Sequence, residues 1–393
     1  MNLDILNPKI QEFIDLNIGV SVSKLALQKN PFPEVDWISI LNQIAAKTKA
    51  KEKLPTWFSN PNIIYPSKVS VEQTSSEITA LYKASIVSGE NLIDLTGGFG
   101  IDDYYFSKVI KNVVHCEINK ELSDIVTHNL NQLNNKFVTC YSGDSAETLQ
   151  KLDIKWDWIY IDPSRRNDIK GKVFMLKDCL PNVPENLDFY FKKSDSILIK
   201  TAPILDISAG INELKHIKSI HIIAVDNEVK ELLWELKKDY TNSITIKTVN
   251  LSKEKSETFE FNLDENHLQP NFSLPHNYLY EPNSAIMKSG GFDQVGLFYK
   301  LNKLHKHSHL YTSDELISFP GRIFEIKNSF PYNKNEMKQN LENKKANITT
   351  RNFTETVENI RKKWKIKDGG NLYCFFTTDE NNTKIVLICK KIN

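Results

Sequence analysis

Residues 91–100 read NLIDLTGGFG, a short apolar run that closes on Asp94 and is followed by Gly97, Gly98 and Gly100. Such a segment is a buried strand feeding a tight glycine turn and a helix. A doubly wound α/β sheet builds a nucleoside pocket from this unit, at the carboxyl ends of its strands. Three further units end the same way. Residues 112–116 (NVVHC) run into Glu117, residues 137–141 (FVTCY) into Gly143-Asp144-Ser145, and residues 156–161 (WDWIYI) into Asp162-Pro163-Ser164-Arg165-Arg166. One acidic strand end is an ordinary solvated terminus, whereas four in succession point to a shared pocket. The spacing departs from the dinucleotide fingerprint, whose third glycine would fall at Asp103.

On these residues the middle of the chain resembles the class I S-adenosylmethionine (SAM) dependent methyltransferases. The resemblance implies a Rossmann-like methyltransferase sheet and SAM as cofactor. It implies a turn of Thr96, Gly97, Gly98 and Gly100 lying against the methionine part of SAM, where a Cβ at Gly98 or Gly100 would collide with the ligand. Asp94 is then expected beside the SAM amino group, Glu117 at the ribose hydroxyls, and Asp144, followed by Ser145, at the adenine amine. Gln73, Ser75 and Ser76, ahead of the first strand, are further candidate contacts, although a capping box of Thr74 and Glu77 accounts for that segment by itself. Thr96 stands where the common Asp-x-Gly-x-Gly-x-Gly turn has its first glycine. Methyltransferases of nucleic acids often carry a similar turn.

The same resemblance places the reaction at Asp162-Pro163. Amine-methylating members use Asp or Asn, two prolines and an aromatic residue. Here Ser164-Arg165 stand in the last two positions. Two accounts are open. Asp162 orients the acceptor while Arg165 or Arg166 holds a phosphate through a bidentate contact, or one arginine pairs with Asp162 or a neighbouring acidic residue and fixes the loop. A cysteine nucleophile is disfavoured, because no Pro-Cys or Thr-Cys-Pro sequence adjoins Asp162.

Around this core, length and composition set bounds. At 393 residues the chain is expected to hold two or three domains, with the 40% hydrophobic and 25% charged content of a globular protein. No apolar run approaches a membrane span, no signal peptide is evident, and five scattered cysteines lack metal or disulfide spacing, so the expectation is a cytoplasmic protein without a membrane partner. Residues 1–66 read as a helical region, in which Lys47, Lys49, Lys51 and Lys53 are either a solvated face or a phosphate contact. Residues 67–251 read as the methyltransferase domain, with later strands at 196–199, 220–225 and 244–251, the last antiparallel, and a helix over 231–237.

From residue 252 the β-α alternation stops. A helix is expected over 284–301, strands at 322–326, 371–377 and 384–389, and helices over 334–343 and 353–364. Residues 322–393 resemble the α+β THUMP-like module of a bacterial methyltransferase branch, and 275–320 the small ferredoxin-like insert of the same branch, which also carries Pro-Gly-Arg, here Pro320-Gly321-Arg322. From Arg322 onward 15 Lys and Arg face 8 Asp and Glu, a net of +7 in a chain of net +1. A basic end on an acidic body is the footprint of a nucleic-acid-binding module, and the resemblance implies RNA. His305, His307 and His309 alternate as one face of a strand would and are read as a polar, RNA-facing surface; no metal is expected. The reading is a SAM-dependent methyltransferase of structured RNA, tRNA or rRNA. The alternatives are a methyltransferase of a protein or small molecule and a non-catalytic SAM-binding reader of RNA. Oligomeric state is left open.

Overall fold

The computed structural model describes residues 3–165, 175–253, 255–264 and 269–392. The chain divides into two compact units, one of Met1–Lys218 with Leu233–Thr241, the other of Ser219–Leu232 with Asn242–Asn393.

The first unit is built on five parallel strands: β1 (Asn91–Asp94), β2 (Asn112–Glu117), β3 (Val138–Ser142), β4 (Trp158–Ile161) and β5 (Ser196–Thr201). Their order is β5-β4-β1-β2-β3, all pairs parallel. Strand order therefore reverses at β1, and the crevice outside the carboxyl ends of β1 and β4 is where such sheets bind ligands. Apolar runs buried on both faces make the inner strands continuous rather than alternating, as in Ile197, Leu198 and Ile199, whereas β3 at the edge is largely exposed.

The N-terminal helices Pro8–Leu16 and Trp37–Lys53 are tied to this sheet through an extended segment. Side-chain amides pair with its backbone on both sides: Gln43 donates to Tyr65 O at 2.6 Å and accepts from Tyr65 N at 2.9 Å, while Asn129 accepts from Ile64 N at 2.9 Å and donates to Ile64 O at 2.8 Å. The lysine run is likewise engaged inside the unit. Lys47 is buried against Asp15 at 2.5 Å, Lys49 pairs with Glu72, and Lys53 donates to the carbonyls of Val71 and Glu72.

The expected capping box is absent. Thr74 ends the helix Lys68–Gln73, and the next helix, Glu77–Ala84, is capped by Ser76, which accepts from Thr79 N. Glu77 is buried instead, accepting from Thr56 N at 2.6 Å, Thr56 Oγ1 at 2.8 Å and Tyr105 OH at 2.7 Å. A buried carboxylate with three donors outweighs a surface cap worth about 1 kcal/mol.

The second correction concerns residues 231–237, read as a helix from Leu232, Leu233 and Leu236. They lie in a strand, Glu228–Lys237. Asp226 and Asn227 both have positive φ, 49° and 64°, the geometry of a two-residue hairpin turn. That turn returns the chain at once into a strand. The strand Thr245–Leu251 is parallel to Ile217–Val225, not antiparallel, and a further strand, Ser256–Asn262, supplies the antiparallel pair.

The second unit carries a seven-stranded sheet in the order Asn302–Lys303, Tyr311–Ser313, Tyr278–Pro282, Gly321–Pro331, Lys384–Lys391, Tyr373–Thr378, Asn347–Thr350. The helix expected over 284–301 is two, Ser284–Ser289 and Phe292–Phe298, broken at Gly290 with φ 74°. Pro320-Gly321-Arg322 has a structural use: Glu281, 3% exposed, is bracketed by Arg322 and by Arg351, the latter at 2.9 Å. The three histidines do not share a strand face. His305 is buried and accepts from the backbone N–H of His307 at 3.1 Å, and His309 stacks on Phe292 with ring centroids 3.5 Å apart. Desolvation pulls His309 down to about 4, so it is neutral and packs as an aromatic ring.

Replacing Glu77 by Ala leaves the Thr56 N–H and the Tyr105 hydroxyl without their acceptor. The expected loss is about 2–3 kcal/mol, read as a lowered denaturant midpoint at unchanged m-value.

Candidate functional site

A cavity of about 620 Å³ opens at the carboxyl ends of β1, β2, β3 and β4. Nearly every residue singled out in the sequence borders it: Asp94, Thr96, Gly97, Gly98, Glu117, Asp144, Ser145 and Asp162, together with Gln73 and Ser75. Following the sheet from β4 to β3, the acids come in the order Asp162, Asp94, Glu117, Asp144.

Each acid is held by its local backbone. Asp94, 1% exposed, accepts from Thr96 N at 2.7 Å and Thr96 Oγ1 at 3.0 Å. Burial, with Asp103 nearby, raises its carboxyl well above the usual carboxylate range. Glu117 accepts from Gly98 N at 3.0 Å and Asn119 N at 2.8 Å, and so fixes the glycine turn to the end of β2. Asp144 is the N-cap of the helix Ser145–Lys151, accepting from Glu147 N at 3.0 Å, a role that places a negative charge favourably at a helix start.

Thr96 explains its own departure from glycine. Its hydroxyl donates to Asp94 and accepts from Asp162 N at 2.7 Å, strapping the end of β1 to the end of β4. Asp162 is also held through its side chain, which accepts from Lys200 Nζ at 2.6 Å. Lys200 comes from β5 and was not singled out in the sequence, since a lysine at a strand end carries no motif. The partner of Asp162 among the described residues is thus this lysine. Arg166 and the side chain of Arg165 lie outside the described residues; the Arg165 backbone pairs antiparallel with Cys179, next to the pair of Ser164 with Leu180, and Pro163 is buried.

Two of the three turn glycines, Gly97 and Gly100, answer to packing inside the protein, whereas a Cβ at Gly98 would meet only Thr96 O at 3.7 Å. A Cβ at Gly97 would lie 2.2 Å from the His115 ring, and one at Gly100, where φ is 72°, 2.6 Å from Val126. Gly100 caps the helix Ile101–Phe106 and is not among the cavity's lining residues. The expectation that its missing Cβ makes room for a ligand is therefore replaced by contact with Val126. Under the turn, His115 Nδ1 meets Asp103 at 2.7 Å, both fully buried. Burial pushes the Asp103 carboxyl up and the His115 imidazole down, so the pair favours the neutral acid and neutral ring.

Two more residues on this cavity, Asp102 and Tyr160, escaped the sequence reading, as did Lys83 behind them. Asp102 accepts from Ser75 Oγ at 2.8 Å and from Tyr160 OH at 2.9 Å, and it faces Lys83 Nζ at 3.2 Å; Lys83 is 0% exposed. Asp102 adjoins Asp103 inside the helical run after the turn, where acids at a helix start are too common to mark a site. The cavity is consequently lined by five acidic side chains, Asp94, Asp102, Glu117, Asp144 and Asp162, and by no lysine, arginine or histidine among the described residues.

Cysteine nucleophiles find no support. Desolvation pushes the Cys140 thiol up to about 11 and raises Cys116 further, which leaves both protonated at neutral pH. No group of His, Cys, Asp and Glu suited to a metal occurs among the described residues, and no helix among them is long and apolar enough to cross a membrane.

Comparison with known proteins adds the following. Family models match residues 278–320, as a ferredoxin-like domain, and 321–391, as a THUMP domain-like segment. The two segments share one sheet, joined by the antiparallel pairing of Tyr278–Pro282 with Gly321–Pro331. No curated protein sequence matches the chain. Among solved structures, a "putative methyltransferase" from Porphyromonas gingivalis is 29% identical, covers 98% of each chain and superposes with a TM-score of 0.87. A "putative RNA methyltransferase" from Pyrococcus horikoshii is 17% identical over 48% of this chain and 98% of that one, with a TM-score of 0.32. TrmK from M. capricolum, in complex with S-adenosyl-homocysteine, is 16% identical over 41% and 68%, also at 0.32. The chain therefore shares its whole architecture with the first of these: a Rossmann-like α/β sheet, N-terminal helices and a C-terminal THUMP-like module.

Gly97→Ala is expected to destabilise the protein by about 1–3 kcal/mol through overpacking against His115. A thermal melt of the ligand-free protein, matching or exceeding wild type, would count against this account of the turn.

Proposed function

We propose that this chain is a SAM-dependent methyltransferase acting on structured RNA. The observation that carries the cofactor reading is the charge of the cavity. A lining that carries five acidic side chains and, among the described residues, no lysine, arginine or histidine disfavours a pyrophosphate and attracts a positively charged nucleoside. SAM is such a ligand, with a sulfonium and an ammonium group, and a cavity of about 620 Å³ lies within the ordinary range for small-molecule sites. The full-length likeness to a "putative methyltransferase" supports the same reading.

Within it, the residues divide the ligand among them. Gly97 and Gly98 bring backbone close to the methionine part beside Asp94. Glu117, already oriented by two backbone N–H groups, keeps acceptor capacity for the ribose hydroxyls. Asp144 keeps an oxygen for the adenine amine, next to Ser145. SAM supplies an activated methyl group, so the protein's task is to hold the acceptor in line. Asp162 is the residue for this, with Pro163 beside it. Thr96 fixes its backbone and Lys200 one carboxylate oxygen, and the other oxygen remains to accept a hydrogen bond from the acceptor. Arg165 is assigned to the acceptor's phosphate.

The RNA reading rests on the THUMP-like module and its charge. Lys344, Lys345, Lys362, Lys365 and Lys367 are exposed and make no ion pair among the described residues. Backbone bonds hold three of them side by side, since Lys367 N donates to Lys344 O at 2.9 Å and Lys345 bridges Lys367, while Asn343 N donates to the carbonyl of Trp364, next to Lys365, at 3.0 Å. This is a rigid array of cations suited to phosphates, which positions a nucleic acid without reading its bases. The cytoplasm, where RNA substrates reside, is the proposed location.

Transfer of labelled methyl from SAM into RNA, protein and small-molecule fractions of cells lacking the gene tests the whole reading. Label is expected in RNA. Label in another fraction keeps the chemistry and removes the RNA, and SAM binding without label anywhere leaves a reader protein. Asp162→Ala is expected to lower turnover at least about 100-fold with SAM affinity unchanged.

Two solution measurements accompany it. The raised Asp94 carboxyl is neutral at low pH and charges as pH rises, so affinity for S-adenosylhomocysteine is expected to rise with pH above the ordinary carboxylate range, and Asp94→Asn to abolish that rise. Reversing Lys344, Lys345, Lys365 and Lys367 to Glu is expected to flatten the salt dependence of RNA binding by about 2–3 in log–log slope; an unchanged slope removes this face from the interface.

A further inference from the structure

We infer that Asp102 is a second ammonium-recognition residue of the cofactor cavity, beside Asp94, and is oriented by Lys83, Ser75 and Tyr160. The inference rests on the SAM reading and goes beyond it, since the strand-end acids already named need no help from the helix Ile101–Phe106.

The geometry is that of a carboxylate braced from behind. Lys83 is fully buried and does not line the cavity, whereas Asp102, Ser75 and Tyr160 all do. One carboxylate oxygen of Asp102 faces the lysine at 3.2 Å, and the other accepts the two hydroxyls at 2.8 and 2.9 Å. Lys83 Nζ also donates to Ser75 Oγ at 3.0 Å, which closes a ring of three side chains. A lysine removed from water this completely is stable only beside an anion, and the Asp102 carboxylate is the anion it faces. An ionised carboxylate is acceptor-only. The ligand group it selects is therefore a cation rich in donors.

Position along the sheet identifies which cation. Tyr160 belongs to β4, so Asp102 lies on the β4 side of β1, toward Asp162. Glu117 and Asp144 occupy the opposite side, on β2 and β3. A nucleoside spread over Glu117 and Asp144 sends its amino-acid tail toward β4. The ammonium of that tail meets Asp102, and the methyl group falls between it and the base, near Asp162. The neighbours facing Asp102 are all accounted for by this arrangement: Lys83 and Ser75 from the segment before β1, Tyr160 from β4, and Asp94 and Asp103 from the turn and helix.

Titration calorimetry with two ligands tests it on the intact protein. S-adenosylhomocysteine carries the ammonium, and 5′-methylthioadenosine carries the same nucleoside without the amino-acid tail. Asp102→Asn is expected to weaken S-adenosylhomocysteine at least about tenfold and to leave methylthioadenosine within twofold. Tyr160→Phe, which keeps the ring and removes one donor, is expected to weaken S-adenosylhomocysteine alone by a few fold; it carries the test if Asp102→Asn does not fold. Equal losses for both ligands mean a merely structural role and overturn the inference, as does an unchanged affinity for S-adenosylhomocysteine. Wild-type protein that binds neither ligand overturns the cofactor reading itself, a result distinct from either of these.

Discussion

Negative charge gathered at one end of a parallel sheet is the constraint to which the first unit answers. Asp94, Asp102, Glu117, Asp144 and Asp162 border a single cavity, and Asp103 lies buried just beneath it. Unit charges a few ångströms apart in a low-dielectric region repel strongly, so every one of these groups needs a specific compensation for the fold to hold. Three kinds are visible. Backbone N–H groups at turns and helix starts serve Glu117 and Asp144. Lysines placed behind the cavity serve Asp102 and Asp162. Asp94 and Asp103 are driven by burial toward the neutral acid.

This division has a functional consequence. A cavity whose acids were all neutralised from within would have little electrostatic preference left. Here the compensating ammonium groups lie behind their carboxylates and do not line the space, so the cavity stays negative where a ligand would enter. A bound cation would complete the charge balance and favour the ionised form of Asp94. Preorganisation of this sort limits the reorganisation needed when charge arrives.

The four strand-end acids were legible in the sequence because each closes an apolar run, and the structure brings all four to one cavity in the order of the strands. Lys83 and Lys200 were not legible. Each is a lone lysine beside apolar residues, and its meaning depends on partners 19 and 38 positions away. Residues 231–237 were misread because Leu232, Leu233 and Leu236 satisfy a helical period as well as a buried strand; the deciding signal was local, the Asp226-Asn227 turn. Thr74 and Glu77 matched a capping box in spacing, yet a buried site for Glu77 beside Thr56 and Tyr105 overrode it. For the two lysines and for Glu77 a tertiary partner, invisible in one dimension, decided between locally equivalent states. The alternating histidines failed for the same reason: two side-chain partners and an aromatic stack, all distant in sequence, draw them apart.

The two departures from the common methyltransferase pattern read as one adjustment. Thr96 replaces a glycine, and Ser164-Arg165 replace a proline and an aromatic residue. A second proline would stiffen the loop after Asp162 through its fixed φ, and this chain lacks that restraint. The Thr96 hydroxyl supplies another, bonding Asp162 N from β1, while Lys200 grips the Asp162 carboxylate from β5. Asp162 is thus fixed by the strands on either side of its own rather than by the residues that follow it. The exchange places the restraint on Asp162 in the sheet, in Thr96 at the end of β1 and Lys200 on β5.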